Sequence, residues 1–469
     1  MDSISLRPSY NGQDEDDRIY TTPTNAADYT QQLEPISKGD QRTVLVCGFL
    51  SVFQTIGPNL SYGIFHLKVE PQMRANCLCY AENFYAATTT SSILPPNEAS
   101  NSALIAFVGT LGAGLTWGGS IYVNPLMVRY RPKQIAVPGC LLMSIGFLLA
   151  AWSTHTWHLL LTQGLLYGVG SSMLYFPLIS VAPEYFDRRR GAAMGVILSA
   201  AGVGGLGFSL VIRALLDRVG ARWTLRIMSL ENLIIGLPAA MAALPSRGSG
   251  SRPTFVDWRI ARKPAFVLQA LAAMLQAAGN FVPMTFTPEF SIALGYTAAF
   301  GAVLLSVNNG VNAVSRILTG VLADALGRQN VLILSVIGSA VSVLALWLGA
   351  VIYGAKGLWV AFVVLYGILA GGYMSLFPVT VSEVFGIQAY ASVNSFLYFV
   401  RGCGAAFGSP VGGQILGESR GLTMADGGVL SSYNKLVWYD GALLIGCSLC
   451  VLGVRGFDAV EKKRWKWKA

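Results

Sequence analysis

Runs of about twenty apolar residues recur along the chain, each bounded by charged residues, proline or polar clusters. A helix needs roughly 20 such residues to cross a hydrocarbon core of about 30 Å. Only 12% of the 469 residues are charged, whereas a soluble domain carries about 25%. The runs therefore predict an all-α polytopic membrane protein and exclude a water-soluble enzyme.

We expect twelve membrane-spanning helices in two halves of six. The predicted spans are residues 43–65, 102–126, 134–153, 157–181, 191–212, 225–244, 265–288, 298–322, 330–352, 357–382, 388–412 and 437–456. The corresponding domains are a disordered tail at 1–42, a first half at 43–244, a linker at 245–264, a second half at 265–456 and a basic tail at 457–469.

The basic residues predict the orientation in the membrane. Roughly twice as many Lys and Arg flank the spans on the side of the two tails as on the other side. Both termini should therefore be cytoplasmic, in a plasma-membrane protein whose first 40 residues lack the apolar core of a signal peptide. Residues 66–90 form an addition to the first outer loop, either a genuine external loop or a retained intron.

A sequence pattern occurs once in each half. Leu-Tyr-Gly, then Phe-Pro, then Glu-x-Phe begins at Leu166 in the fourth span and again at Leu365 in the tenth. The two copies occupy equivalent positions, which indicates an internal duplication. Parallel repeats of this kind place a substrate site between the halves, near the bilayer midplane.

The short loop after the eighth span carries a second motif. The stretch from Gly320 to Arg328, with Asp324 at its centre, resembles the signature cytoplasmic loop of the major facilitator superfamily. That resemblance implies a gating role for Asp324 and Arg328. The corresponding loop of the first half, which begins at Asn124, contains no Asp before Lys133, so its latch is incomplete.

The start of the fifth span resembles the monocarboxylate transporter family, and its fungal branch in particular. The residues that carry this resemblance are Tyr185-Phe186, the basic cluster Arg188-Arg189-Arg190 and an Ala-x-Gly ending at Gly195. The resemblance implies alternating-access transport of carboxylates, riboflavin or secondary metabolites. Two features depart from the family: the first helix has no mid-span Lys, and Asn312 replaces a titratable Asp.

Two helices of the second half carry polar residues at helical spacing. Asn308, Asn312 and Arg316 recur every four residues, and Tyr398 and Arg401 share a face of the eleventh span. A charged side chain at mid-membrane costs roughly 2.5–3.5 kcal/mol, so it usually faces a cavity or a partner. We expect these residues to bind an anionic group of the substrate, although the asparagines could equally hydrogen-bond neighbouring helices.

Further candidates are weaker. Asn59 and Asn280 are possible substrate ligands from the first and seventh spans. Among Arg188, Arg189 and Arg190, one is expected to pair with Glu184 or Asp187 when the cytoplasmic side closes, although a basic triplet is also an ordinary topology signal.

These features together predict a secondary transporter, either active or facilitative. Its substrate is expected to be a small organic anion, a monocarboxylate or a secondary metabolite. One form of this function is the efflux of the product of a biosynthetic gene cluster. The alternative is a transporter-like receptor that binds its ligand without moving it. We expect no enzymatic activity, no cofactor, no metal site and no nucleic-acid partner. The partners are a small-molecule substrate and the lipid bilayer, and a monomer is consistent with the sequence.

Overall fold

Long helices build nearly all of the protein that the structure describes. The computed structural model covers residues 37–60, 102–186, 189–247, 254–423 and 430–462, and helix accounts for 91% of them. The tail up to residue 36, the outer segment 66–90 and the end of the basic tail lie outside the described residues. Among those described, seven helices are both long enough and apolar enough to cross a membrane.

We number the twelve long helical segments of the described chain α1 to α12. Those of the first half are α1 (Lys38–Leu60), α2 (Ser102–Gly118 continued by Ser120–Arg129), α3 (Pro132–Ala150), α4 (Trp157–Tyr185), α5 (190–219) and α6 (221–241). The last two are separate helices that meet at Gly220, whose φ of 76° and ψ of 173° are not helical and are accessible to a residue without a Cβ atom.

The second half repeats this arrangement. Its segments are α7 (Pro264–Ala293), α8 (Ala298–Leu326), α9 (Arg328–Tyr353), α10 (356–385), α11 (387–423) and α12 (Asn434–Glu461). The segments α10 and α11 are likewise separate helices that meet at a non-helical glycine, Gly386, with a φ of 79°. A short helix, Trp258–Ala261, lies in the linker.

The helices follow the predicted spans but extend beyond several of them. The largest difference is α11, which continues to residue 423 although the apolar run ends near 412. Likewise α5 and α6 extend from either side to Gly220, so one non-helical residue stands where a longer loop was expected between 212 and 225. Helical hydrogen bonding needs no apolar side chains, so a helix continues past the point where its hydropathy drops.

Each half has its own hydrophobic core. One cluster consists of residues from α1 to α6, including Met143, Phe147 and Tyr167. A second cluster consists of residues from α7 to α12, including Trp347 and Trp359. Separate cores allow the halves to move as units, although the residue boundaries of the halves stay a prediction.

The halves meet at glycines. A Cβ atom at Gly191 of α5 would lie 2.5 Å from the carbonyl oxygen of Gly320 in α8. A Cβ atom at Gly402 of α11 would lie 2.8 Å from the main-chain nitrogen of Gly118 in α2. Small residues at helix contacts let backbones approach closely, and here they do so on both sides of the interface between the halves.

Several helix ends lie together on one face, which we call the linker side. The Tyr185 hydroxyl, at the end of α4, donates to the carbonyl oxygen of Pro245 at 2.7 Å. Gln41, near the start of α1, donates to the Tyr185 carbonyl at 3.1 Å, and Lys263 pairs with Glu461 at 2.6 Å. The start of α1, the linker and the end of α12 therefore share a face.

Candidate functional site

A central cavity lies between the halves, and eight helices contribute to its wall. Its space, including the part open to solvent, amounts to about 450 Å³. The lining residues are Ile56, Trp117, Tyr175, Leu198, Asn280, Phe281, Met284, Arg316, Met374, Tyr398 and Arg401. Two cations in a largely aromatic and aliphatic wall define its chemistry.

Arg316 of α8 carries one of these charges, and its side chain is 5% exposed. Its Nη1 donates to the carbonyl oxygen of Leu198 in α5 at 2.6 Å, which ties it to the other half. Its Nε has no hydrogen-bond partner. Within the described parts of the chain Arg316 forms no ion pair, so no described carboxylate compensates its buried charge.

Arg401 of α11 is 1% exposed and has a different environment. Its Nη2 donates to Oε1 of Gln276 at 3.2 Å and contacts the sulfur of Met374. Four aromatic rings surround the guanidinium, with distances from its carbon to the ring centroids of 5.1 Å for Trp117, 5.4 Å for Phe377, 5.6 Å for Tyr373 and 5.9 Å for Tyr398. Ring faces attract cations, so this charge is already stabilised within the protein.

The asparagines that precede Arg316 on α8 point toward α10. The Nδ2 atom of Asn308 donates to the carbonyl of Val363 at 2.8 Å, and that of Asn312 donates to Gly367 at 3.3 Å. Neither residue lines the cavity, so the structure uses both as bridges between helices. A role for them in substrate binding stays a prediction.

The other predicted ligands are divided. Asn280 and Tyr398 both line the cavity and are buried. The side chain of Asn59 lies outside the described residues. Sequence reasoning missed Trp117, Tyr175 and Gln276, since an isolated aromatic or amide residue in an apolar run carries no periodic signal.

The repeated Phe-Pro motifs meet at one tyrosine. Phe176 of α4 and Phe377 of α10 each pack edge-on against the ring of Tyr398, at 5.3 and 5.5 Å between centroids. The hydroxyls of Tyr398 and Tyr175 are 3.4 Å apart. Both phenylalanines lie nearer the linker side than the lining residues of their helices, so this aromatic cluster lies on the linker side of the cavity.

Asp324 of α8 makes a contact between the halves on the linker side. Its carboxylate accepts hydrogen bonds from the main-chain nitrogens of Gly191 at 3.0 Å and Ala192 at 2.9 Å, at the start of α5. Arg328 lies 3.3 Å from the same carboxylate. A carboxylate at a helix N-terminus is stabilised by unpaired N–H groups and by the helix dipole, so this contact joins the halves.

The linker binds the end of α4. Oε2 of Glu184 accepts hydrogen bonds from the Ser246 hydroxyl at 2.7 Å and from the main-chain nitrogen of Arg247 at 3.0 Å. Asn124, in the first-half loop without the acidic latch, donates to the carbonyl of Thr254 at 2.8 Å. The linker thus contacts both the end of α4 and the first-half loop.

The basic triplet is partly described. Arg189 is exposed, Arg190 donates from Nε to the carbonyl of Phe186, and Arg188 lies outside the described residues. Pairing of one of these arginines with Glu184 in a closed state stays a prediction. No group of three or more His, Cys, Asp or Glu side chains that could hold a metal ion occurs in the described ranges.

Two six-helix bundles around a central cavity with unpaired cationic chemistry define a membrane transporter. A family model of the Major Facilitator Superfamily matches residues 77–409, and the chain belongs to this superfamily. Its members bind small-molecule substrates within the membrane and are generally transporters rather than enzymes.

Relatives and a solved structure agree with this assignment. The chain is 27% identical to the MFS-type transporter pynF of Aspergillus niger, over 80% of this chain and 81% of that protein. It is also 27% identical to the agnestins efflux protein AgnL12 of Paecilomyces divaricatus, over 80% of each chain. A crystal structure of a double-tryptophan variant of XylE matches with a TM-score of 0.69 at 13% identity, covering 90% of this chain and 98% of that one, which shows the fold alone. These relatives give no support to the alternative of a transporter-like receptor that binds its ligand without moving it.

Proposed function

We propose that this transporter exports a small, anionic secondary metabolite by alternating access. The observation that carries the proposal is Arg316: a buried guanidinium in the cavity wall that has an unpaired Nε and forms no ion pair with any described residue. A guanidinium binds carboxylates and enolates through a planar pair of N–H groups. A cargo anion would supply the missing charge.

The lining residues favour a cargo with a flat, unsaturated part. Trp117 and Phe281 pack at 5.4 Å between centroids in the cavity wall, and Tyr175 and Tyr398 also line it. Aromatic walls bind conjugated rings through offset and edge contacts. The name of the relative AgnL12, an efflux protein, supports export as the direction.

We propose in addition that the chain belongs to the fungal branch of the monocarboxylate transporter family, on the strength of Tyr185-Phe186 and the basic residues that follow. Asn312 stands where that family has a titratable Asp, and it is bound to Gly367 of α10. Cargo binding at Arg316 should therefore not require a proton at position 312.

We also propose a plasma-membrane location with the linker side in the cytoplasm. The basic residues of the linker and of the second tail support this orientation. In this arrangement the aromatic cluster and the Asp324 latch close the cytoplasmic side of the cavity. Cargo is then released outward when these contacts hold and admitted when they break.

The test uses purified protein in liposomes and naphthalenesulfonate, an aromatic anion that stays charged at all working pH values. We expect saturable uptake of this probe and none of neutral naphthalenesulfonamide. Arg316→Ala should weaken probe binding roughly 10- to 100-fold, since hydrogen bonds to charged groups contribute about 1.5–3 kcal/mol. Arg316→Lys should bind with intermediate affinity because it keeps the charge and loses the planar pair.

The matched control is Arg222→Ala, which removes an exposed arginine at the start of α6. It should bind and transport the probe like the wild type. Equal transport of the charged and neutral probes, or full transport by a well-expressed Arg316→Ala protein, would contradict the proposal.

A further inference from the structure

Asp440 of α12 is the most isolated carboxyl group in the described protein. Its side chain is fully buried, and neither carboxyl oxygen has a hydrogen-bond partner. It forms no ion pair with any described residue. By comparison, the buried Glu231 of α6 accepts a hydrogen bond from Nε2 of Gln54 at 2.7 Å. An ionised carboxylate without any compensation is not stable in such a place.

The surroundings of Asp440 come from three other helices and offer no cation. A Cβ atom at Gly279, halfway along α7, would lie 3.2 Å from its Oδ1, and Leu344 of α9 packs on the adjacent Gly441. From α10 the nearby titratable group is Tyr366, whose buried hydroxyl has no partner.

The remaining titratable groups of these elements are neutral hydroxyls and thiols, among them Tyr373 of α10 and Cys447 of α12, or charged groups that lie toward the helix ends. The Tyr439 hydroxyl, on α12 itself, donates to the carbonyl of Gly408 in α11 at 3.3 Å. Glu289 is the one titratable side chain of α7, and Arg328 and Tyr353 lie at the two ends of α9. The guanidinium of Arg401 in α11 already lies against aromatic rings, among them those of Trp117 and Tyr373. The carboxyl group is therefore compatible with its site only in the neutral, protonated form.

The position of Asp440 connects it to the cavity without exposing it there. Gly279 is followed directly by Asn280 and Phe281, which line the cavity from α7. Asp440 lies behind this segment, so α7 has the cargo site on one side and the buried acid on the other. The lining residues themselves include no carboxyl group. A movement of α7 that follows cargo binding would change the contact with Asp440 and let water reach it.

We propose that Asp440 is a proton-binding site that couples transport to a proton gradient through α7, apart from the cargo cavity. The carboxyl group holds its proton while α7 and α12 are packed together. It releases the proton to water on one side of the membrane when α7 moves away, and it takes up a proton from the other side before the two helices pack again, so that one proton crosses the membrane in each cycle. This inference goes beyond the proposed function, since it concerns the driving ion and not the cargo.

The first test needs no cargo. The infrared spectrum of the wild-type protein in lipid should contain the C=O stretch of a buried protonated carboxyl group. Asp440→Asn should remove that band, and Asp440→Glu should shift it. The matched control is Asp458→Asn on the same helix, whose carboxylate is bound by Lys462 at 2.7 Å and Gln329 at 3.0 Å and should give no such band. An unchanged band in Asp440→Asn would overturn the assignment.

The second test measures naphthalenesulfonate transport in liposomes with and without a pH gradient. The wild type should move the probe faster with the gradient. Asp440→Asn, which mimics the protonated form, should show equal rates in both conditions, at the level of the wild type without a gradient. A wild-type rate that ignores the gradient, or an Asp440→Asn rate that still responds fully to it, would overturn the coupling. If the wild type moves no probe at all, the proposed cargo class fails, and the infrared test still decides whether Asp440 binds a proton.

Discussion

The side-chain hydroxyls of Ser120 and Ser395 exchange hydrogen bonds, each donating to the main-chain carbonyl oxygen of the other residue at 2.6 Å. Ser120 begins the second part of α2, and Ser395 lies on α11, so the pair joins the two halves. The close contact of Gly118 with Gly402 lies beside it. Together with the contact of Asp324 in α8 with the start of α5, this pair joins the halves near the linker side.

Removing one of these hydroxyls should therefore favour opening. We expect Ser120→Ala to cost about 1 kcal/mol of closed-state stability, the usual contribution of one hydrogen bond. Hydrogen–deuterium exchange along α2 and the start of α11 should rise accordingly. Ser392→Ala is the control, because that hydroxyl bonds within its own helix, to Ala389. Equal exchange in the two variants would show that the Ser120–Ser395 pair does not hold the closure.

The Asp324 latch should depend on charge. Asp324→Asn keeps the size of the side chain but loses the favourable interaction with the helix N-terminus, which contributes about 0.3–2 kcal/mol. We expect faster exchange of the amides of Gly191 and Ala192. Asp257→Asn provides a comparison, since it caps only the short linker helix through Arg259. If the contact depended only on the size of the side chain, amide exchange at Gly191 and Ala192 would be the same in Asp324→Asn as in the wild type.

Glycines of α5 should differ in their tolerance of a methyl group. A Cβ atom at Gly202 would lie 2.6 Å from the carbonyl oxygen of Asn309, whereas one at Gly207 meets nothing within 4 Å. Gly202→Ala should separate α5 from α8 and lower the thermal unfolding temperature. Gly207→Ala should leave it equal or higher, because alanine favours helix by about 0.5–1 kcal/mol. The same loss of stability in both variants would contradict this reading of the interface.

Substitution of the two cavity arginines should have different effects, one on stability and one on probe binding. Arg401→Lys keeps a charge but loses the planar group that lies among four rings, so we expect a loss of stability of about 0.5–2 kcal/mol. Arg316→Lys should mainly weaken binding of naphthalenesulfonate. Thermal unfolding and probe binding, measured on both proteins, distinguish the two roles. If Arg401→Lys instead weakened probe binding and Arg316→Lys lowered stability, Arg401 would be the group that binds the ligand and Arg316 the group that stabilises the packing.

The topology can be tested in cells. Reporter tags fused at residues 1 and 469 should both report cytoplasm, in keeping with the shared face of the start of α1 and the end of α12. Protein tagged at residue 469 should also reach the plasma membrane. Tags on opposite sides of the membrane would require an odd number of spans and would contradict the two-half arrangement.

Much of the fold could be predicted from sequence because the bilayer imposes a simple rule on it. Every backbone polar group in lipid must be bonded within the chain, so each apolar run of about twenty residues becomes a helix. The duplicated Phe-Pro motif indicated two related halves, and the structure brings both Phe176 and Phe377 into edge contact with Tyr398. The four-residue spacing on α8 selected Arg316, which does line the cavity.

The same spacing did not distinguish Arg316 from Asn308 and Asn312, which the tertiary structure turns toward carbonyl groups of α10. It also gave no sign of the four rings around Arg401 or of the isolation of Asp440. The physical reason is that a membrane helix is apolar on most of its surface, so its sequence hardly marks which face meets lipid and which meets another helix. The sequence by itself determined that the chain spans the membrane as two helical halves. Only contacts between helices far apart in the chain decided which polar groups have hydrogen-bond partners within the protein and which stay free for a ligand or a proton.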